Sequence, residues 1–128
     1  MELVKFLLLP TTAYLVGSFP SAYIWTRLLR GVDIHEVGTG NSGASNVSSI
    51  AGNMSGLVVL FFDSFIKGFL PTLLFVWLEI PVLILILSSL SLVAGHNWSV
   101  FSRFKGGRGV ATSIGVVLGV GMWWQMLI

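Results

Sequence analysis

The sequence predicts an all-α polytopic membrane protein, and three observations carry that reading. Of 128 residues, 55% are hydrophobic and only 9% are charged, whereas a soluble domain is about one quarter charged. Mean hydropathy is +0.91. The polar residues gather between uncharged runs about as long as the roughly 20 residues a helix needs to cross a hydrocarbon core. About four transmembrane helices are expected in a single membrane domain, residues 1–128, with two glycine-rich loops between them.

The first span is read over residues 6–25, kinked near Pro20. It leads into glycine and proline rather than an A-x-A cleavage site, which argues against a signal peptide. The second, 54–78, carries Asp63, Lys67 and Pro71 inside it. Such groups are costly in lipid unless they face protein or water. The third, 80–95, is bounded by Pro81 and reaches only about 24 Å at the helical rise, so it is short or partly re-entrant. The fourth, 110–128, runs to the last residue without a polar flank. The chain is therefore expected to be cut off at its C-terminus and to form the N-terminal part of a larger fold.

Four spans put the loops 26–53 and 96–109 on one side of the membrane. They hold Arg27, Arg30, Arg103, Lys105 and Arg108, five of the seven basic residues, while the opposite connection offers only Glu79. The positive-inside rule then places both glycine-rich loops in the cytoplasm and the N-terminus outside, with Lys5 a minor counter-signal. This orientation requires the third segment to cross fully.

Composition also excludes functions. There is no cysteine, which removes disulfides, thiolate catalysis and zinc–thiolate sites; no metal and no cofactor are expected. Seven basic residues against five acids are too few for a nucleic-acid footprint. The first loop, GTGNSGASN over 38–46, contains a formal G-x-G-x-x-G at Gly38, Gly40 and Gly43, with Asp63 twenty residues beyond. A dinucleotide fingerprint needs a preceding strand within a βαβ unit, and this loop follows an apolar helix-length segment. Neither loop matches G-x-x-x-x-G-K-[ST].

What remains is anion chemistry. Backbone N–H groups exposed by small residues at a helix start cradle phosphates. The first loop adds Thr39, Asn41, Ser42, Ser45, Asn46, Ser48 and Ser49; an ordinary capped turn is the bland alternative. In the second, KGGRGVAT over 105–112, Lys105 and Arg108 flank Gly106 and Gly107, with Gly109 following. Backbone amides can approach an anion there while cations neutralise it. Asp63 and Lys67 stand four residues apart, acid first, as a functional pair or a structural one that points inward. His96 is a base, a phosphate donor or an interfacial histidine. Gly52/Gly56 and Gly115/Gly119 fit the small-xxx-small pattern, and Trp98, Trp123 and Trp124 suit membrane interfaces. Phe61, Phe62, Phe65 and Phe69 pack between helices or line an acyl groove.

Gly17-Ser18-Phe19-Pro20, Val32-Asp33-Ile34, GTGNSGASNV, Asp63 with Lys67-Gly68, Gly95-His96 and FKGGRGVAT occur in an order that resembles the bacterial acyl-phosphate:glycerol-3-phosphate acyltransferases. Where that family usually has serine this chain has Thr39, for arginine it has His35 and Ser49, for proline Ser99, and for lysine Arg108. The resemblance implies transfer of a fatty acyl group from acyl phosphate to the sn-1 hydroxyl of glycerol 3-phosphate, giving lysophosphatidic acid, in a bacterial inner membrane. The expected partners are acyl phosphate, glycerol 3-phosphate and the lipid bilayer, with no nucleic acid. It implies Lys105, Gly106, Gly107 and Gly109 for the glycerol 3-phosphate and Gly38, Gly40 and Gly43 for the acyl phosphate. Thr39, Asn41, Asn46, Lys67, His96 and Arg108 are its implied catalytic groups. The rival readings are a catalytically silent phosphate-binding relative and a transporter of anionic metabolites, the latter without an evident inverted repeat.

Overall fold

The computed structural model describes the backbone of residues 1–126 and the side chains of residues 1–121. The end of the expected fourth span and the side chains of Trp123 and Trp124 lie outside that description. The described residues are helical with no strand: α1 (Glu2–Ser18), α2 (Ser21–Arg30), a 3-10 turn (Ile34–Glu36), α3 (Ala44–Ala51), α4 (Asn53–Phe61), a π-helical stretch (Phe62–Phe69), α5 (Leu70–Trp77), α6 (Val82–Asn97), a second 3-10 turn (Val100–Ser102) and α7 (Val110–Met126). Three stretches, Glu2–Arg30, Asn53–Trp77 and Val82–Ser102, are long and apolar enough to cross a membrane, and α7 adds a shorter apolar run, Val110–Gly121. The third stretch, expected to be short, is thus lengthened by a turn beyond His96.

Pro20 divides the first stretch as its chemistry demands. Proline drives the residue before it out of the helical region, and Phe19 is extended at ψ 121°. The break frees the Ser18 carbonyl, which accepts a hydrogen bond from Ser99 Oγ at 2.5 Å. It also turns Ser21, the first residue of α2, toward the second stretch.

The second stretch departs from the plain helix expected of it. Its middle, FDSFIKGF, is wound as a π-helix, a geometry that is rare and concentrates at functional sites. Its inner face carries Asp63, Lys67 and Gly68, all buried. Phe61, Phe65 and Phe69 stack in series on its outer side, with ring centroids 5.1 and 5.2 Å apart.

Glycines set the helix spacing. A Cβ on Gly95 would run into the Tyr14 carbonyl and stand 2.7 Å from the Ser18 nitrogen, so α1 and α6 touch backbone to backbone there. Gly17 meets the Leu92 backbone from the opposite side. The Gly115/Gly119 pair seats α7 on the π stretch and α5, where a Cβ at Gly115 would stand 2.8 Å from the Phe69 nitrogen. Gly52/Gly56 acts more locally: Gly52 turns α3 into α4 at φ +96°, and Gly56 accepts the Ser48 side chain. Ala13, Phe75 and Leu92 form one core between the spans, and Ala22, Ile34, Val47, Ala51 and Val59 form another beneath the first loop. Leu7, Leu57, Leu83, Leu90 and Val117 remain exposed, an outer surface suited to lipid.

Candidate active site

The first glycine loop is shaped by two asparagines. From α3, Asn46 Nδ2 donates to the carbonyls of Ile34, Val37 and Asn41 at 3.2, 3.1 and 2.9 Å, while its Oδ1 accepts from the Thr39 N–H at 3.1 Å. Asn41 Oδ1 accepts from the Gly43 N–H at 2.8 Å, and Thr39 Oγ1 accepts from the Asn41 N–H at 3.3 Å. Gly38, at φ +57°, lies against Asn46 Oδ1, where any Cβ would collide. Gly40 sits at φ +74° over the His35 carbonyl. Asn46, expected among the catalytic groups, therefore spends its amide on the loop itself and fixes where Thr39 stands, and Asn41, expected likewise, commits its Oδ1 to the Gly43 N–H.

The second loop folds back over the end of α6. The Phe104 N–H donates to the Ser99 carbonyl at 2.7 Å and the Gly107 N–H to the His96 carbonyl at 3.2 Å. Gly106 passes so near the carbonyls of His96 and Asn97 that a Cβ would stand 2.6 Å from the latter. Gly107 lies against the His96 ring, and Gly109 takes φ +76° beside Asn97 Oδ1. Each close approach needs a residue without a side chain.

Between the loops and the spans lies a buried polar cluster. Asp63 is 1% exposed, Lys67 3% and His96 6%. Lys67 Nζ is 3.2 Å from Asp63 Oδ1, and Ser21 Oγ donates to the same oxygen at 2.6 Å. Charges removed from water persist only when paired and hydrogen-bonded, and this carboxylate has both. Lys67 Nζ also lies 3.3 Å from His96 Nδ1. With Lys67 as the ammonium, which only donates, Nδ1 is assigned as the acceptor and the ring proton to Nε2, beside Gly107.

Both loops reach two cavities. The inner one, about 10 Å³, is walled by Ser21, Ser42, Lys67, His96, Lys105 and Gly106 among others; it has room for about one water. The larger, about 320 Å³, has Thr39, Asn41, Gly43 and Asn46 on one wall and Arg108 and Gly109 on the other. Ser42 and Gly43 on the first loop, and Gly106 and Arg108 on the second, straddle the two. The structure thus gathers Lys67, His96, Lys105 and Gly106 in one group, and Thr39, Asn41, Asn46, Gly43, Arg108 and Gly109 in the other. Gly38 and Gly40 shape the first loop from behind.

Sequence reading missed Ser21 and gave Ser99 no role; Pro20, which exposes Ser21 and the Ser18 carbonyl, was the signal for both contacts. Among the described residues no three His, Cys, Asp or Glu side chains converge as a metal site requires.

On the turn before the first loop, burial raises the pKa of Asp33. Hydrogen bonds from the His35 backbone and ring, with the positive charges of His35 and Arg27, outweigh it and hold the carboxyl below its ordinary value of 3.8. A lowered carboxylate supports the fold above that ordinary value and loses its contribution as pH falls through the lowered one. The Asp33 carboxylate is therefore ionised and contributing at neutral pH.

The glycerol-3-phosphate acyltransferase family model matches residues 7–128. Glycerol-3-phosphate acyltransferase 4 of Dehalococcoides mccartyi (strain CBDB1) is 50% identical over 113 residues, covering 88% of this chain and 48% of its own length. Glycerol-3-phosphate acyltransferase 2 of Moorella thermoacetica is 47% identical over 125 residues, covering 95% of this chain and 63% of its own. A crystal structure of PlsY (YgiH), an integral membrane glycerol 3-phosphate acyltransferase, in its glycerol 3-phosphate form, superposes with TM-score 0.84 at 41% identity, over 95% of this chain and 60% of that one. Its lysophosphatidic acid form gives TM-score 0.81. The chain spans about half to two thirds of the length of these relatives. With this fold and these two loops, the chain is an all-α membrane protein and belongs to the glycerol-3-phosphate acyltransferase family.

Proposed function

We propose that this chain carries the phosphate-binding and reacting groups of an enzyme that moves a fatty acyl group from acyl phosphate to the sn-1 hydroxyl of glycerol 3-phosphate. The observation that carries the reading is that both glycine loops contribute neighbouring residues to two cavities, the inner one lined by Lys67 and His96 and the larger one by Thr39 and Arg108. One loop alone would be a turn; two converging loops can hold two phosphorylated ligands side by side. The solved relatives, one described in a glycerol 3-phosphate form and one in a lysophosphatidic acid form, support glycerol 3-phosphate as the acceptor and lysophosphatidic acid as the product.

Lys105, Gly106, Gly107 and Gly109 hold the phosphate of glycerol 3-phosphate, and Gly38, Gly40 and Gly43 shape the seat of the acyl phosphate opposite Arg108. Thr39 and Arg108 contact the donor phosphate, while Asn41 and Asn46 are positioning residues. The acceptor hydroxyl oxygen attacks the acyl carbonyl carbon, the bond from that carbon to the phosphate oxygen breaks, and inorganic phosphate leaves with the hydroxyl proton. An acyl phosphate is already activated, so positioning and charge stabilisation suffice. His96 Nε2–H is then a donor to developing negative charge rather than the base, because Lys67 occupies the other nitrogen. The basic loops face the cytoplasm of a bacterial inner membrane, with the N-terminus outside.

The test is lysophosphatidic acid formation by the purified chain in bilayer discs. Turnover with acyl phosphate supports the reading; ligand binding without turnover leaves a silent relative, and substrate flux in proteoliposomes would indicate a transporter. Gly107→Ala places a methyl group against the His96 ring. It is expected to raise KM for glycerol 3-phosphate by about tenfold, the cost of one weakened charge-assisted hydrogen bond, with a smaller change in KM for acyl phosphate.

A further inference from the structure

His35 is a buried polar group to which acyl transfer assigns no task. It sits on the 3-10 turn before the first loop, and Asp33 fixes it twice: Oδ1 accepts from the His35 backbone N–H and from ring Nδ1–H, each at 2.9 Å. The ring stacks on Tyr23, with centroids 6.1 Å apart and planes 23° apart. The side chain is 8% exposed. Its far nitrogen, Nε2, is buried and has no hydrogen-bond partner among the described residues. Leaving such an atom unpaired carries a desolvation cost, and it calls for an explanation.

The surroundings supply one. His35, Tyr23, Ser102 and Lys105 line both the inner cavity and a third cavity of about 340 Å³, which Arg103 and Glu36 also line. They therefore form a wall between the two. The charged and titratable groups around this wall are Asp33 and Glu36 on the histidine's own turn, Tyr23 on α2, Lys67 and His96 on the spans, Arg103 before the second loop and Lys105 at its start. Cations and acids together suit a phosphorylated polyol, whose phosphate takes the former and whose hydroxyls take the latter.

We propose that His35, as imidazolium, is a phosphate ligand of this chain: Nε2–H donates to an oxygen of a phosphate monoester also held by Lys105. Where the resembling family has arginine, this chain places an imidazole on that wall. The inference rests on the acyl-transfer reading only in naming the monoester as glycerol 3-phosphate.

The experiment is calorimetric titration of the purified chain in bilayer discs with glycerol 3-phosphate and, separately, with inorganic phosphate, across the imidazole range from about pH 5.5 to about 8.5. His35→Arg supplies a permanent cation and His35→Gln a neutral donor. The ligand's own second ionisation strengthens binding as pH rises, and comparison with His35→Arg removes that common trend. Relative to His35→Arg, the wild type is expected to lose about tenfold in affinity from the acid to the alkaline end, the scale of one charge-assisted hydrogen bond. His35→Gln should be about tenfold weaker than wild type at the acid end only. Parallel pH curves for the wild type and both replacements would overturn the proposal, as would failure of both ligands to bind. A His35-dependent response to inorganic phosphate without glycerol 3-phosphate binding would uphold this phosphate site while overturning the substrate assignment.

Discussion

Lys67→Met is expected to abolish acyl transfer while the helices still form. The ammonium touches both Asp63, at 3.2 Å, and His96 Nδ1, at 3.3 Å. Removing it takes away a positive charge beside the reacting groups and frees His96 to adopt its other tautomer, which no longer presents Nε2–H to the second loop. Loss of one preorganised donor costs about 100- to 1,000-fold in kcat, and that is the expected loss. The replacement also strands the Asp63 carboxylate, with only Ser21 donating to it. Breaking a buried pair from one side costs about 3–5 kcal/mol. The double variant Lys67→Met with Asp63→Asn should recover most of the stability and none of the activity. Turnover and thermal unfolding by circular dichroism measure the two separately. An active Lys67→Met protein would remove the cluster from the mechanism.

The second large effect is structural. Gly95→Val should separate α1 from α6, because the added carbons meet the Tyr14 carbonyl and the Ser18 nitrogen. Backbone cannot rotate aside as a side chain can. Overpacking of this kind costs about 1–3 kcal/mol, and the damage reaches the site: Ser99 Oγ to the Ser18 carbonyl and Tyr14 Oη to the Trp98 carbonyl, each 2.5 Å, tie α1 to the residues that follow α6. A lower unfolding temperature with weaker glycerol 3-phosphate binding is expected. Gly121→Val, where a Cβ meets nothing within 4 Å among the described residues, is the matched control and should leave both measurements unchanged. Equal effects from the two replacements would show that the spacing of α1 and α6 is not set at Gly95.

The features legible in the sequence were those with local signatures. Uninterrupted apolar length marked the spans, Pro20 marked the break, and the four-residue spacing of Asp63 and Lys67 marked their pairing. The glycine loops announced themselves by composition. The π winding of Phe62–Phe69 was not legible, because no apolar periodicity distinguishes it within an almost wholly apolar run. The contacts of Ser21 with Asp63 and of Ser99 with the Ser18 carbonyl join residues 42 and 81 positions apart, and single serines carry no mark of such partners. Asn46 shows the complementary difficulty. An asparagine in a glycine loop looks like chemistry, yet its position at the start of α3 lets one side chain close hydrogen bonds to four backbone groups of the preceding segment.

The central claim, that the two glycine loops meet across one ligand cavity, is tested most directly by cross-linking. The chain has no cysteine, so Ser45→Cys and Ala111→Cys, on opposite walls of the cavity of about 320 Å³, introduce the only two thiols. In bilayer discs a short bismaleimide is expected to bridge them within one chain, and acyl phosphate is expected to slow the bridging. Two thiols that each react with a monofunctional maleimide but never bridge would contradict the account.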